Sequence, residues 1–210
     1  MTNQSVLMTA PGEIQIVEAP MPVRKEGEAL LELLYGGLCG SDLGAYRGTY
    51  AYAKYPNVPG HEFSAKIVEI GENAAGLRQG DIVTANPYFN CGTCYSCRRG
   101  LVNCCVDNQT MGVQRAGAYS RFITMPVERL YPVGKLEPRL AALVEPFAIG
   151  YHGVQQAMIR PDDRVLVVGA GTIGIFTMLA ANRKAPEYTS PMWPRKSCGS
   201  RKRWARMAFS

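Results

Sequence analysis

Seven cysteines stand in the chain, and most of them crowd one short stretch. From Asn90 to Cys105 the sequence reads NCGTCYSCRRGLVNCC, so Cys91, Cys94 and Cys97 recur at every third residue and Cys105 follows eight residues later. Thiolates suit zinc, an ion with no geometric preference of its own, and four protein ligands close a tetrahedron with no position left for chemistry. The lobe spanning residues 90–106 is therefore expected to hold a structural zinc. Gly92 and Gly100 give the backbone the freedom to turn sharply enough to aim several ligands at one point. Cys104 is the spare, since two adjacent residues do not readily both point inward. A disulfide framework fits less well, because cysteines 39, 91, 94, 97, 104, 105 and 198 make an odd set in a chain without a signal peptide. An iron-sulfur cluster of the ferredoxin kind wants its fourth cysteine after three residues and then a proline, whereas Val106 follows Cys105 here.

A second group is more dispersed. Of the two histidines, His152 is expected to pack on a helix and is assigned nothing. His61 stands between Gly60 and Glu62, with Cys39 upstream and Glu145, followed by Pro146, downstream. One thiolate, one imidazole and one or two carboxylates make an open zinc site. Such an ion would polarise an alcohol oxygen and lower its pKa, so that hydride can leave at neutral pH. Spacing alone leaves open whether positions 39, 61 and 145 meet.

The elements that must position these residues read as mostly β. Glu13 to Val17, Ala29 to Leu34, Ser64 to Gly71, Ile82 to Ala85 and Tyr119 to Met125 have strand character, separated by proline and glycine punctuation. Ser41 or Asp42 is placed to cap a short helix, and a helical pattern runs from near Leu140 through Val144, Phe147, Ala148 and Tyr151. At Arg164 the character changes. Val165 to Val168 form an apolar run of the kind expected for a parallel strand buried on both faces. Gly169, Gly171 and Gly174 then spell GxGxxG before Ile175, Phe176, Met178, Leu179 and Ala180 of a helix. In that context the glycines predict a phosphate-binding turn rather than a plain glycine-rich bend.

A length of 210 residues allows one large or two small domains with a real core. With 47% hydrophobic and 19% charged residues, no apolar run long enough to span a bilayer and no signal-like N-terminus, a cytoplasmic protein without a membrane partner is expected. The net charge of +6 is not spread: Arg183 to Ser210 hold eight Lys or Arg against one acid, Glu187, and the remainder is close to neutral. Phosphate attraction by Arg201, Lys202, Arg203 and Trp204 is conceivable, but such runs are usually solvated, and nucleic acid is not the expected partner.

Taken together, GGLCGSD at 36–42, PGHEF at 59–63, the cysteine lobe, EPFAIG at 145–150 and VLVVGAGTIG at 165–174 resemble the zinc-dependent medium-chain dehydrogenases, within them the polyol and sugar-acid branch. The resemblance covers roughly residues 10 to 182 in the family's order. It implies a GroES-like β-barrel catalytic domain over 1–145 and, over 146–182, the first βα unit of a Rossmann domain. The implied activity is NAD- or NADP-linked oxidation of a small secondary alcohol, a polyol or sugar acid. The implied roles are Cys39, His61, Glu62 and Glu145 around a catalytic zinc; Asp42 orienting the imidazole; Ser41 taking the substrate proton; Cys91, Cys94, Cys97 and Cys105 on a structural zinc; and Gly169, Gly171 and Gly174 at the dinucleotide. Homo-oligomers are the family's habit, through an interface expected to be mostly absent here. Two departures stand out. Gly44 occupies the place where many relatives carry a relay histidine. After Ala185 the prolines at 186, 191 and 194 predict no further strand or helix, and no acid ends a second strand to hold the ribose. Residues 183–210 are accordingly expected to be a disordered, out-of-frame or otherwise foreign tail. Activity is then expected to be impaired by loss of most of the cofactor domain, the alternative being a catalytically inactive zinc-binding fragment.

Overall fold

The computed structural model describes residues 2–185 and, for the backbone only, 189–192. In chain order the elements are strands β1 (Thr2–Ala10), β2 (Glu13–Pro20) and β3 (Glu28–Gly37), helix α1 (Gly40–Tyr46), and strands β4 (Glu62–Ile70), β5 (Ile82–Ala85) and β6 (Tyr88–Phe89). Helix α2 (Tyr95–Arg98), strands β7 (Gln109–Thr110), β8 (Phe122–Pro126) and β9 (Leu130–Pro132), and helices α3 (Pro138–Ala141) and α4 (Val144–Gln156) follow. Strand β10 (Val165–Val168), helix α5 (Thr172–Asn182) and strand β11 (Thr189–Met192) complete the series. Two compact units divide the chain, Met1–Glu145 and Pro146–Ser210. Among the described residues no helix is long and apolar enough to cross a membrane.

The first unit is built on a five-stranded antiparallel sheet in the order β8-β3-β4-β5-β9. Alternation drives it: Phe63, Ala65 and Ile67 of β4 point to one face and are almost fully buried. Leu31 of β3 pairs with Ile67 on one side and Ile123 on the other, and Ala65 faces Val83. Leu77, Met111, Met125 and Leu130 close this core. The β3–β4 register shifts twice, between Leu30 and Leu31 and between Leu33 and Tyr35, and ends on Gly37 opposite Glu62.

Hairpin β1–β2 forms its own two-stranded sheet and is bridged to connecting segments of this unit, Ser5 to Ser120 just before β8 and Met8 to Asn57 before β4. The sequence reading has no strand at β1. Its inward positions include polar Asn3 and Ser5, so apolar alternation is missing; Asn3 exchanges two bonds with the Phe122 backbone, and Ser5 bonds the Ser120 hydroxyl at 2.7 Å. The single helix expected from Leu140 is two, broken between Ala141 and Val144.

In the second unit β10 leads through the glycine turn into α5, with a small core of Val154, Ala180 and Ala181. Two expectations are corrected here. Leu166 and Val168 are 57% and 73% exposed, so β10 is not buried on both faces. Thr189–Met192, within a stretch expected to hold no strand, pairs in parallel with β10, Pro191 lying opposite Val167. In a two-stranded sheet both strands are edges, and a proline without an N–H is tolerated on an edge. The expected disorder at 186–188 and 193–210 lies outside the described residues.

Ile67 is fully buried between two strands. Ile67→Ala is expected to cost about 2–5 kcal/mol, because the cavity cannot collapse between paired strands. Urea denaturation of the zinc-loaded chain measures this, and a loss below about 1 kcal/mol would contradict this placement of the core.

Candidate metal centres

Strands β6 and β7 pair Tyr88 with Thr110 and Phe89 with Gln109, which closes the base of the loop that carries the cysteine lobe. Within it Gly92 (φ +74°) takes a backbone conformation that L side chains rarely adopt. Cys94 caps α2. The Sγ atoms of Cys91, Cys94, Cys97 and Cys105 all lie within 4.8 Å of one another. Ligand bonds of about 2.3 Å around one tetrahedral zinc put sulfur atoms about 3.8 Å apart, so the donor set fits a single ion. Backbone N–H groups already point at the sulfurs: Cys91 N–H to Cys105 Sγ at 3.3 Å, Cys94 N–H to Cys91 Sγ at 3.4 Å and Cys97 N–H to Cys94 Sγ at 3.5 Å. These donors hold the Cys91 and Cys94 thiols below the usual range, while burial and the neighbouring Cys94 push Cys97 up. Cys104 is exposed and outside the group.

The second centre forms where β3 ends and β4 begins. Cys39, half-buried, is the N-cap of α1, and His61 and Glu62 are buried at the entry to β4. One donor atom from each lies within 4.8 Å of the others. A thiol, an imidazole and a carboxylate are a set zinc accepts with a position to spare. His61 Nδ1 is buried without a hydrogen-bond partner among the described residues.

Close packing makes this convergence possible. A Cβ at Gly37 would strike the Glu62 carboxylate, and one at Gly60 would enter the Tyr119 ring. Gly60 also has φ +98°. The strap Gly117–Tyr119 fixes the Pro59–Gly60 turn, with Gly117 N–H on Val58 O at 2.7 Å, Ala118 N–H on Gly60 O at 2.9 Å and Tyr119 N–H on Pro59 O at 3.1 Å. The Tyr119 hydroxyl donates to the Gly37 carbonyl.

Asp42 ties the two arms together. Its Oδ2 accepts from Cys39 N–H at 2.9 Å and its Oδ1 from Gly60 N–H at 3.3 Å. The carboxylate thus holds the backbone beside the imidazole, not the imidazole itself. Asp42 takes the expected part in capping α1, but from the third helical position: Cys39 is the N-cap residue, and the Asp42 side chain reaches back to its N–H in a capping box. After His61, the neighbouring Ser41 helps to hold the Cys39 thiol below its ordinary value. At Gly44 a Cβ would stand 3.3 Å from the Tyr50 Cβ, so Tyr50 crowds the place of the absent relay histidine.

Glu145 is buried, but its carboxylate is not among the donors that meet within 4.8 Å; Oε1 accepts instead from the Tyr88 hydroxyl at 2.5 Å. Its charge still reaches the centre. Burial first, then Glu145, pushes the Glu62 carboxyl up. Burial pulls the His61 imidazole down, yet the bond to Cys39 and the charges of Asp42, Cys39 and Glu145 outweigh it and raise it to about 8. The bond from His61 lowers Cys39 against its own burial. Neither Tyr88 nor Tyr119 was marked as a site residue by sequence reasoning. The only signal was the run of small residues at Gly36, Gly37 and Gly60, which leaves room for a ring. Gly169 (φ +100°) and Gly174, whose Cβ would strike the Gly169 carbonyl, force the tight turn before α5, and Gly171 caps that helix with open space beside it.

The model of the alcohol dehydrogenase GroES-like domain matches residues 25–135. The L-galactonate-5-dehydrogenase of Escherichia coli (strain K12) is 39% identical over 176 residues, 83% of this chain and 52% of that protein. The sorbitol dehydrogenase of Halalkalibacterium halodurans is 35% identical over 173 residues, 81% of this chain and 50% of that protein. The crystal structure of galactitol-1-phosphate dehydrogenase from Escherichia coli superposes with a TM-score of 0.79 at 28% identity, covering 87% of this chain and 54% of that one. The chain spans about half the length of the curated relatives it matches.

Metal must displace the proton that His61 holds up to about 8. Below that pH the imidazolium competes with zinc, and above it the neutral ring is ready, so affinity at this centre is expected to fall about tenfold per pH unit below about 8. Chelator competition across that range checks this, and a flat profile from about pH 6 to about pH 8 would contradict it. The likeness over residues 25–135, just over half of the chain, places the protein in the family that carries the alcohol dehydrogenase GroES-like domain.

Proposed function

We propose that the chain is a zinc-dependent oxidoreductase acting with NAD or NADP on a small secondary alcohol, a polyol or sugar acid. One observation carries the reading: a thiol, an imidazole and a carboxylate converge within 4.8 Å beside the Ser41 hydroxyl. Cys39, His61 and Glu62 would hold a catalytic zinc, and Cys91, Cys94, Cys97 and Cys105 a structural one. The substrates named for the relatives, galactonate and sorbitol, support the alcohol class.

A bound zinc supplies Lewis acidity that eases loss of the alcohol proton near neutral pH. The chain's residues do the rest. Ser41 receives that proton at its hydroxyl, and with Gly44 offering no side chain the proton leaves by water. Asp42 keeps the Cys39 and His61 arms in register through two backbone bonds. A bound NAD⁺ or NADP⁺ would supply the hydride acceptor, the alcohol being oxidised to a ketone as the nicotinamide is reduced and one proton is released. In this reading residues 1–145 are the GroES-like catalytic domain and 146–182 begin a Rossmann domain. Gly169, Gly171 and Gly174 would hold the pyrophosphate of a dinucleotide, the backbone N–H groups that open α5 supplying the donors.

A second reading, a zinc-holding chain without turnover, is favoured by the exposed Leu166 and Val168 of β10, since a dinucleotide turn normally rests on a parallel sheet buried on both faces. Fluorescence titration of the zinc-loaded chain with NADH separates the two. The first reading expects saturable binding in the micromolar range, loss of binding in Gly171→Glu, and NADH formation from NAD⁺ with a polyol or sugar acid that Ser41→Ala lowers by about 10²- to 10⁴-fold. No saturation with zinc in place would leave the second.

A further inference from the structure

Tyr88 stands in the short strand β6 beside the cysteine lobe. Its phenol donates to Glu145 Oε1 at 2.5 Å, a short hydrogen bond between two part-buried side chains. The main chain behind that phenol is fixed on both sides: Tyr88 N–H donates to Asn86 Oδ1 at 3.0 Å, and its carbonyl accepts from the Arg129 guanidinium. The next residue, Phe89, lies against the guanidinium groups of Arg115 and Arg129, 3.6 and 4.4 Å from its ring centre. The phenol is therefore mounted on a rigid piece of backbone and makes a dependable anchor.

Glu145 is 7% exposed and stays outside the group in which Cys39, His61 and Glu62 meet. A buried carboxylate beside a cation site has two destinations, the phenol or the ion. If it went to the ion, the protein would supply four ligands, the closed set of a structural site; held by the phenol, it leaves three and one open position. We propose that Tyr88 is a positioning residue that holds Glu145 off the metal and so keeps one coordination position free of protein. This rests on the zinc reading given above.

The test uses the full chain with Co²⁺ in place of zinc, read by visible absorption and by chelator competition. Cobalt in the cysteine lobe is common to all variants and cancels in difference spectra. Tyr88→Phe keeps the ring and removes the donor; the cobalt bands are expected to shift and affinity at the second centre to rise on the order of tenfold. Both effects should vanish when Glu145→Gln is added, and Glu145→Gln alone should leave the parent spectrum unchanged. A Tyr88→Phe spectrum equal to the parent's would overturn the proposal. So would a change caused by Glu145→Gln alone, because Glu145 would then already be a ligand. If the parent minus His61→Ala difference spectrum is blank, no metal occupies the second centre, and the zinc reading fails together with the latch.

Discussion

At the last rung of the β3–β4 pairing Gly37 lies opposite Glu62, and the second centre depends on that position having no side chain. A Cβ there would occupy the space of the carboxylate. The antiparallel register does the remaining work. Two residues beyond Gly37 comes Cys39, and one residue before Glu62 comes His61, so both are delivered past the same end of the same strand pair. Gly60 admits the Tyr119 ring, whose hydroxyl returns to the Gly37 carbonyl and ties the two strand ends together. Close backbone approach, rather than a dedicated loop, creates the site.

The charges gathered there explain why a cation fits. Asp42, Glu62 and Glu145 are all buried within reach of one imidazole and one thiol. Buried charge is costly unless it is paired and hydrogen-bonded. Asp42 is satisfied by two backbone donors and Glu145 by the Tyr88 phenol. Cys39 and Glu62 both face His61, and against its burial the bond to Cys39, with the charges of Asp42, Cys39 and Glu145, raises that ring to about 8. A divalent ion would serve the same sites better, since it compensates two negative groups at once and leaves the imidazole neutral.

Much of this was legible in the chain. The cysteine lobe declares itself because its ligands are neighbours in sequence and glycines mark its turns. The glycines at 169, 171 and 174 are legible for the same reason. The meeting of Cys39, His61 and Glu62 is not, because it depends on strand register and on two bulges that no local pattern encodes; their residue types suggested a site, and only family resemblance said that they meet. Tyr88 and Tyr119 reach the site across long sequence separations and look like ordinary strand residues. Strand β1 is hidden by buried Asn3 and Ser5, which meet the sheet through hydrogen bonds instead of apolar packing. Pro191 argued against a strand that an edge position tolerates.

The central claim is that two separate clusters each bind one ion. Counting zinc per chain by elemental mass spectrometry, in the purified parent and in His61→Ala, tests it most directly. The account predicts two zinc ions in the parent and one, retained by the cysteine lobe, in the variant. A metal-free folded parent, or an unchanged count in His61→Ala, would contradict it.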